Sequence, residues 1–311
     1  MTGVQTCALP ISYRDLWYDK PPLNIAAYLL FGAQGGWILR VASALFASGV
    51  CALAYRFAGA LWTRREAIWA ALLTAFFLIF YFPGSTLTLE PDTLMLAPHF
   101  AAVYFAWKRC PFAAGALAGI ATLFNVKGLF VLASCAVFSL SALPLLALGF
   151  LVPNVLVLGG LALLGALPAY WQQVWEWGFL YAKSPDPISA GLLRAFNWTG
   201  FHSTLVIGAI VFFCCRNAKD DEEIRSSGDR WKFATWLLLS IAGATVGWRF
   251  LPRYFDGALP PLLILSARSI ALIARDRRRW LGAAAALSQL DRKSTRLNSS
   301  HIPLSRMPSS A

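Results

Sequence analysis

The sequence predicts an all-α, polytopic integral membrane protein with about nine or ten transmembrane helices, and three observations lead there. Of 311 residues, 58% are hydrophobic and only 14% charged, against about 45–50% and about 25% in soluble domains. The mean hydropathy is +0.58. The 13 Trp and 22 Phe residues suit a lipid-facing surface with aromatic belts at its interfaces. This composition excludes an ordinary soluble enzyme and a disordered chain. The formal charge of +12 does not call for nucleic acid, because Lys and Arg collect in the cytoplasmic loops of membrane proteins. The 6 Cys residues show no framework or metal-like spacing, so neither a disulfide scaffold nor a zinc ribbon is expected.

A bilayer core of about 30 Å needs roughly 20 apolar residues per helix. In chain order the expected spans are Ile38–Ala60, Ala67–Phe82, Thr93–Trp107, Phe112–Phe124, Leu129–Leu143, Leu145–Pro168, Ser203–Cys215, Phe233–Trp248 and Ala258–Ala274. A tenth begins at Leu281. Phe112–Phe124 and Leu129–Leu143 are short enough to be half-length helices meeting at a break, Asn125-Val126-Lys127-Gly128. At membrane depth such a break is tolerated only against protein or a wet cavity.

The two ends read differently from the rest. Met1–Ile11 (MTGVQTCALPI) resembles the translation of a sequencing adapter, and Asp291–His301 resembles the same adapter read from the opposite strand. Ser305–Ala311 fits its continuation. The expected organisation is an adapter-derived segment at 1–11, a truncated transmembrane domain at 12–290 and a second adapter-derived segment at 291–311, the ends being left out of fold reasoning. The tail contributes +3 of the formal charge, leaving +9 for the middle. On this reading the native chain upstream of Tyr13, including a first helix, is missing.

Positive charge sets the orientation. With the Lys20 end outside, the basic loops at Arg64-Arg65, Lys108-Arg109 and Arg275–Arg279 all fall inside, as does Arg216–Lys232, a stretch of five positive and five negative residues read as a solvated cytoplasmic loop. The outer side mixes acids, bases and aromatics, among them Asp19, Lys20, Glu90, Asp92, Lys127, Trp175, Trp177, Arg253 and Asp256. Ionisable groups near membrane depth are expensive and read by default as functional. Carboxylates with Lys, Arg and Trp suit a phosphorylated, sugar-bearing substrate, since Arg can grip phosphate with two bonds.

Four segments carry a family resemblance. Tyr13-Arg14-Asp15-Leu16-Trp17-Tyr18-Asp19-Lys20-Pro21-Pro22-Leu23 resembles the first extracytoplasmic loop of family-39 glycosyltransferases, the protein O-mannosyltransferase and aminoarabinose-transferase-like enzymes of the GT-C class. Glu90-Pro91-Asp92 is similar to that family's acidic segment before a later helix, and Asn125–Gly128 to its Lys-Gly turn. Gly247–Phe255, running into Leu259-Pro260-Pro261-Leu262, resembles its late stretch, with Arg253 where His is usual.

The resemblance implies transfer of a sugar from a polyprenyl-phosphate donor to an acceptor hydroxyl on a glycolipid, glycan or protein. It also implies placement in a bacterial inner membrane, with the site facing the periplasm. Asp92 and Asp19 are the candidate catalytic or acceptor-side acids. Lys20, Lys127 and Arg253 are candidates for the donor phosphate, and Glu90, Tyr18 and Tyr254 for the sugar. Lys20 leads the phosphate candidates. The plain reading of Lys20 is a side chain snorkelling at the interface, and that of Asp92 is a helix cap at Thr93. In the family the leading acid lies upstream of the position of Tyr13, so the principal base is not expected in this chain. A divalent metal is compatible with the acids, although no ligand set is recognised. His99 and His202 are lone and read as structural. The rival readings are a secondary transporter, which expects charges at the bilayer midplane in symmetric broken helices, and a non-catalytic membrane scaffold.

Overall fold

The computed structural model describes residues 13–32, 36–80, 89–183, 187–214, 230–246 and 249–275. The adapter-like ends and the tenth span lie outside them, as does nearly all of the charged loop between 216 and 232. Every regular element among the described residues is helical, with no strand, so the chain is all-α.

After the first segment, α1 (Pro22–Ala27) runs into a π-helical turn at Tyr28–Gly32. Then come α2 (Gly36–Leu61), α3 (Arg64–Phe80), α4 (Pro91–Leu94), α5 (Leu96–Trp107), α6 (Pro111–Phe124) and α7 (Gly128–Phe138). A 3₁₀ turn at Leu140–Ala142 leads into α8 (Leu143–Leu163). The stretch α9 (Leu167–Tyr170), π-helical Trp171–Glu176 and α10 (Trp177–Ala182) is nearly continuous. The chain closes with α11 (Ile188–Phe201), α12 (Ser203–Cys214), α13 (Arg230–Thr245), a 3₁₀ segment at Pro252–Ala258 and α14 (Leu259–Arg275). Proline opens several of these helices, where its missing N–H is no loss: Pro22, Pro91 and Pro111 all sit in a first turn.

Among the described residues three helical stretches are long and apolar enough to cross a membrane, Gly36–Leu61, Leu140–Leu163 and Pro252–Ala274. A fourth is reached if α11 and α12, bent by 79°, count as one span. The other expected spans come out shorter. Thr93–Trp107, Phe112–Phe124 and Leu129–Leu143 correspond to α5, α6 and α7, of 12, 14 and 11 residues. At a rise of about 1.5 Å per residue these reach only about 16–21 Å. The boundary expected near Leu143 moves, because Ser139 ends α7 and Pro144 occupies the first turn of a new helix rather than terminating an old one. The break at Asn125–Gly128 is where the sequence placed it.

Two of the long stretches differ sharply in setting. The Pro252–Ala274 window is 78% buried and forms the centre, packed on α3 and α12, whereas the Leu140–Leu163 window is 11% buried and lies at the edge. The edge helix is held by close backbone approach to α6. A Cβ on Gly115 would lie 2.0 Å from the Leu146 carbonyl oxygen, and one on Gly149 2.1 Å from that of Phe112. Small residues permit this approach and larger ones do not. On the opposite side, Ser266 and Ser269 of α14 donate their hydroxyls to the Leu205 and Gly208 carbonyls of α12, each at 2.7 Å.

Candidate functional site

Five separate segments meet around one cavity of about 470 Å³. Its walls include Asp19, Lys20, Glu90, Asp92, Asn125, Lys127, Arg249, Arg253 and Tyr254, together with Trp175, Trp177 and Tyr181. Seven of the eight site residues singled out from the sequence therefore share one space, and Tyr18 does not line it.

Local chemistry explains how each segment delivers its side chain. Asn125 adopts extended geometry (φ −151°, ψ 132°) and ends α6. Its side-chain oxygen accepts the Lys127 N–H at 3.0 Å, an Asx turn that restarts the chain as α7. Gly128 must follow, because a Cβ there would lie 2.3 Å from the Thr122 nitrogen. Lys127 is thus the N-cap of α7. A cation at the positive end of a helix dipole is the wrong sign for stability and the right surrounding for an anion.

Asp92 lies in the first turn of α4, behind Pro91. The N-cap is Glu90, without a side-chain capping bond, so the capping role considered for Asp92 does not hold. Its carboxylate instead accepts from the Lys127 Nζ at 2.8 Å, and both side chains are largely enclosed. The same ammonium lies 3.7 Å from the Tyr254 ring centroid, a cation–π contact at close range. Arg253 stands 3.6 Å from Glu90 and 5.9 Å from the same ring. Asp256 is buried behind them, within electrostatic reach of Asp92, Lys127 and Glu90. Two non-glycine residues with left-handed backbone, Leu89 (φ 50°) and Phe250 (φ 47°), turn the chain into the segments that carry Glu90–Asp92 and Arg253–Tyr254. Such geometry costs about 1–3 kcal/mol and persists where surroundings over-determine it; both side chains are buried.

The first segment is clamped rather than loose. Gln173, in the π-helical stretch, donates to the Tyr13 carbonyl and accepts the Tyr18 N–H, both at 2.8 Å. The Tyr13 hydroxyl bonds the Lys20 carbonyl, and the Tyr18 hydroxyl donates to Asn24. Burial, with smaller contributions from Tyr28 and Asp19, pushes the Tyr18 hydroxyl up to about 12. Burial first, and then Tyr170, raises that of Tyr13 further. Both hydroxyls therefore stay protonated and keep donating at neutral pH. Tyr18 supports the loop that presents Lys20. Lys20 itself, paired with Asp19, remains at the rim with about a third of its side chain exposed (38%). Lys127 is the more enclosed cation, at 15%.

Sequence reasoning missed Gln173 and Tyr181. The Arg249 guanidinium stacks 3.6 Å from the Tyr181 ring, tying α10 to the late segment. Neither residue carries a local signal, since both partners lie far away in sequence. A charged pair away from the cavity was also missed: Arg268 Nη1 donates to Glu66 Oε1 at 2.6 Å, with both side chains sealed from solvent. His99 and His202 are buried. His202 stacks on Trp198 at 3.9 Å, in keeping with a packing role. Among the described residues no group of three or more His, Cys, Asp or Glu is arranged to hold a metal ion.

Comparison with protein-family models, with curated proteins and with solved structures gives no match to this chain.

Proposed function

We propose that the chain is the membrane-embedded core of a glycosyltransferase of the family-39, GT-C kind. It moves a sugar from a polyprenyl-phosphate donor to an acceptor hydroxyl. On this reading the fold is polytopic, lies in a bacterial inner membrane and opens its cavity to the periplasm. The supporting observation is the convergence of Lys20, Lys127, Arg249 and Arg253 with Asp19, Glu90 and Asp92 around one cavity faced by Trp175 and Trp177. Three of the segments that supply them, together with the late stretch that holds Arg249 and Arg253, are those that carry the resemblance.

The chemistry follows from those groups. The acceptor oxygen attacks the anomeric carbon. The bond from that carbon to the phosphate oxygen breaks, and the electron pair leaves on the lipid phosphate. A carboxylate takes the acceptor proton, and cations stabilise the charge growing on phosphate. In the ligand-free protein Lys20, Lys127 and Arg253 each face a carboxylate. An arriving phosphodiester takes over one such partner and frees that carboxylate for the acceptor or the sugar. The charges gather around one cavity rather than in a pair of symmetric breaks, which weighs against the transporter reading.

Binding tests the reading directly. Intact protein in lipid nanodiscs is titrated with a polyprenyl-phosphate mannose, and saturable binding displaced by free polyprenyl phosphate is expected. Lys127→Met should weaken it roughly tenfold, the scale of one charge-assisted bond. Absence of binding, or binding indifferent to both Lys127→Met and Arg253→Met, would overturn the proposal. Orientation has its own test: cysteines placed at positions 20 and 92 should label from outside and one at 65 from inside. Labelling of 20 and 65 from the same side removes the topology.

A further inference from the structure

Behind Lys127 and Tyr254 lies a second space of about 10 Å³, also lined by His99 and Ser240. That is room for one water and nothing larger. Trp236 donates its indole N–H to the His99 Nε2 at 2.9 Å. An indole nitrogen can only donate, so Nε2 is the lone-pair nitrogen and the neutral ring carries its proton on Nδ1. That Nδ1 is buried and meets no protein acceptor, and the Ser240 hydroxyl is likewise buried without a protein partner. His99 is 2% exposed and Ser240 5%. Two orphaned polar groups on separate helices, α5 and α13, thus belong to one small space. The Lys127 ammonium has three N–H groups. One reaches Asp92 and another side of the ammonium meets the Tyr254 ring, and the Lys127 side chain also lines the shared space.

We propose that this space is a site for a single ordered water that bridges His99, Ser240 and Lys127. The water accepts from His99 Nδ1–H and from the Lys127 ammonium, and donates to the Ser240 oxygen. These three bonds need no further charge and fall within the usual two to four of internal water, with one water O–H left over. His99 and Ser240 are then positioning residues. Through the water they fix the direction of the Lys127 ammonium without setting a second carboxylate against it. Trp236 sets the tautomer that makes the arrangement work.

The experiment is magic-angle-spinning NMR of the intact, isotope-labelled chain in lipid bilayers, with no substrate present. The His99 ring is expected to show a protonated Nδ1, a bare Nε2 and magnetisation transfer between Nδ1–H and water. The opposite tautomer, or an Nδ1–H without water transfer, overturns the proposal. Ser240→Val fills the space with methyl groups. The variant should lose the water transfer at His99 and shift the Lys127 Nζ resonance, while the Trp236 indole signal stays in place. Transfer that survives Ser240→Val, or a Lys127 resonance that does not move, also overturns it. The wild-type measurement needs no variant to fold, and none of these readouts depends on sugar transfer, so this inference and the transferase reading can fail separately.

Discussion

Two ion pairs in this protein use the same kinds of group in opposite settings. Glu66 and Arg268 meet at 2.6 Å, sealed from solvent. Asp92 and Lys127 meet at 2.8 Å on the wall of a cavity. The sealed pair obeys local rules. Thr63 and Glu66 form a capping box, in which the Glu66 carboxylate takes both the Thr63 N–H and its hydroxyl. An acid in the first turn of α3 also suits the helix dipole. On the cavity side Asp92 is also an acid in a helix's first turn, but Lys127 sits at the wrong end of α7 and left-handed Leu89 precedes the Glu90–Asp92 segment. Departures from local consistency concentrate where a protein does something besides fold. The contrast points to stability for the sealed pair and, under the transferase reading, to ligand chemistry for the other.

The sharpest way to break the contrast is to remove one partner of the sealed pair. Arg268→Met strands a buried carboxylate and should cost about 3–5 kcal/mol, read as a large drop in the unfolding midpoint in detergent. The double replacement Glu66→Leu with Arg268→Met should recover most of that loss. If the single variant unfolds at the wild-type midpoint, the pair is not the staple described here. Next in size, Lys20→Met should leave unfolding within about 0.5 kcal/mol, as for an exposed pair. Under the transferase reading it should cut turnover by roughly 10²-fold in a catalytically competent form of the enzyme. A Lys20→Met protein with full turnover takes Lys20 out of the chemistry. Tyr254→Leu removes the ring beneath Lys127 and should weaken polyprenyl-phosphate binding by about 0.5–2 kcal/mol, while Tyr254→Phe keeps the ring face and should change it little. Equal losses for Leu and Phe would show that the hydroxyl matters and the ring does not.

The smallest effect is an alkaline one. Tyr18 titrates higher in the fold than its ordinary value of 10.0, at about 12. The protonated form is therefore favoured by folding. Its contribution is fully present below pH 10 and is lost as pH rises through about 12. The clamp on the first segment should loosen in that window, followed by the fluorescence of Trp17, which packs on Trp177 with ring centroids 5.8 Å apart. Tyr18→Phe should remove that component of the alkaline transition.

The sequence made the break at Asn125–Gly128 readable, because Asn, Lys and Gly interrupt two apolar runs and each has a local reason to be there. Membership of the cavity was also readable for Lys20, Asp92, Lys127 and Arg253, since each opens or closes an apolar run and all fall on one expected face. The capping box Thr63–Glu66 was legible in principle from its Thr-x-x-Glu spacing and went unread. What could not be read were partnerships over distance: Gln173 with Tyr13 and Tyr18, Arg249 with Tyr181, and Glu66 with Arg268. Nothing in spacing marks them. Helix α11 escaped because Arg194 and Asn197 dilute its apolar pattern, and the 79° bend into α12 follows from packing rather than composition. Span lengths failed for a different reason. Hydropathy counts apolar residues, whereas helix ends are set by Pro, Asn and Ser positions such as Pro144, Asn125 and Ser139.

The glycine contact between α6 and α8 reaches further than the two helices it joins. With a methyl on Gly115 or Gly149 facing backbone at 2.0 Å and 2.1 Å, the edge helix could keep its place only by swinging outward, by more than an ångström to restore ordinary contact distances. The far end of α6 turns into the Asn125–Gly128 break that carries Lys127 into the cavity. The seam therefore acts as a gauge block. Three positions without side chains, Gly115, Gly119 and Gly149, set how closely the edge helix lies against the helix that delivers that cation.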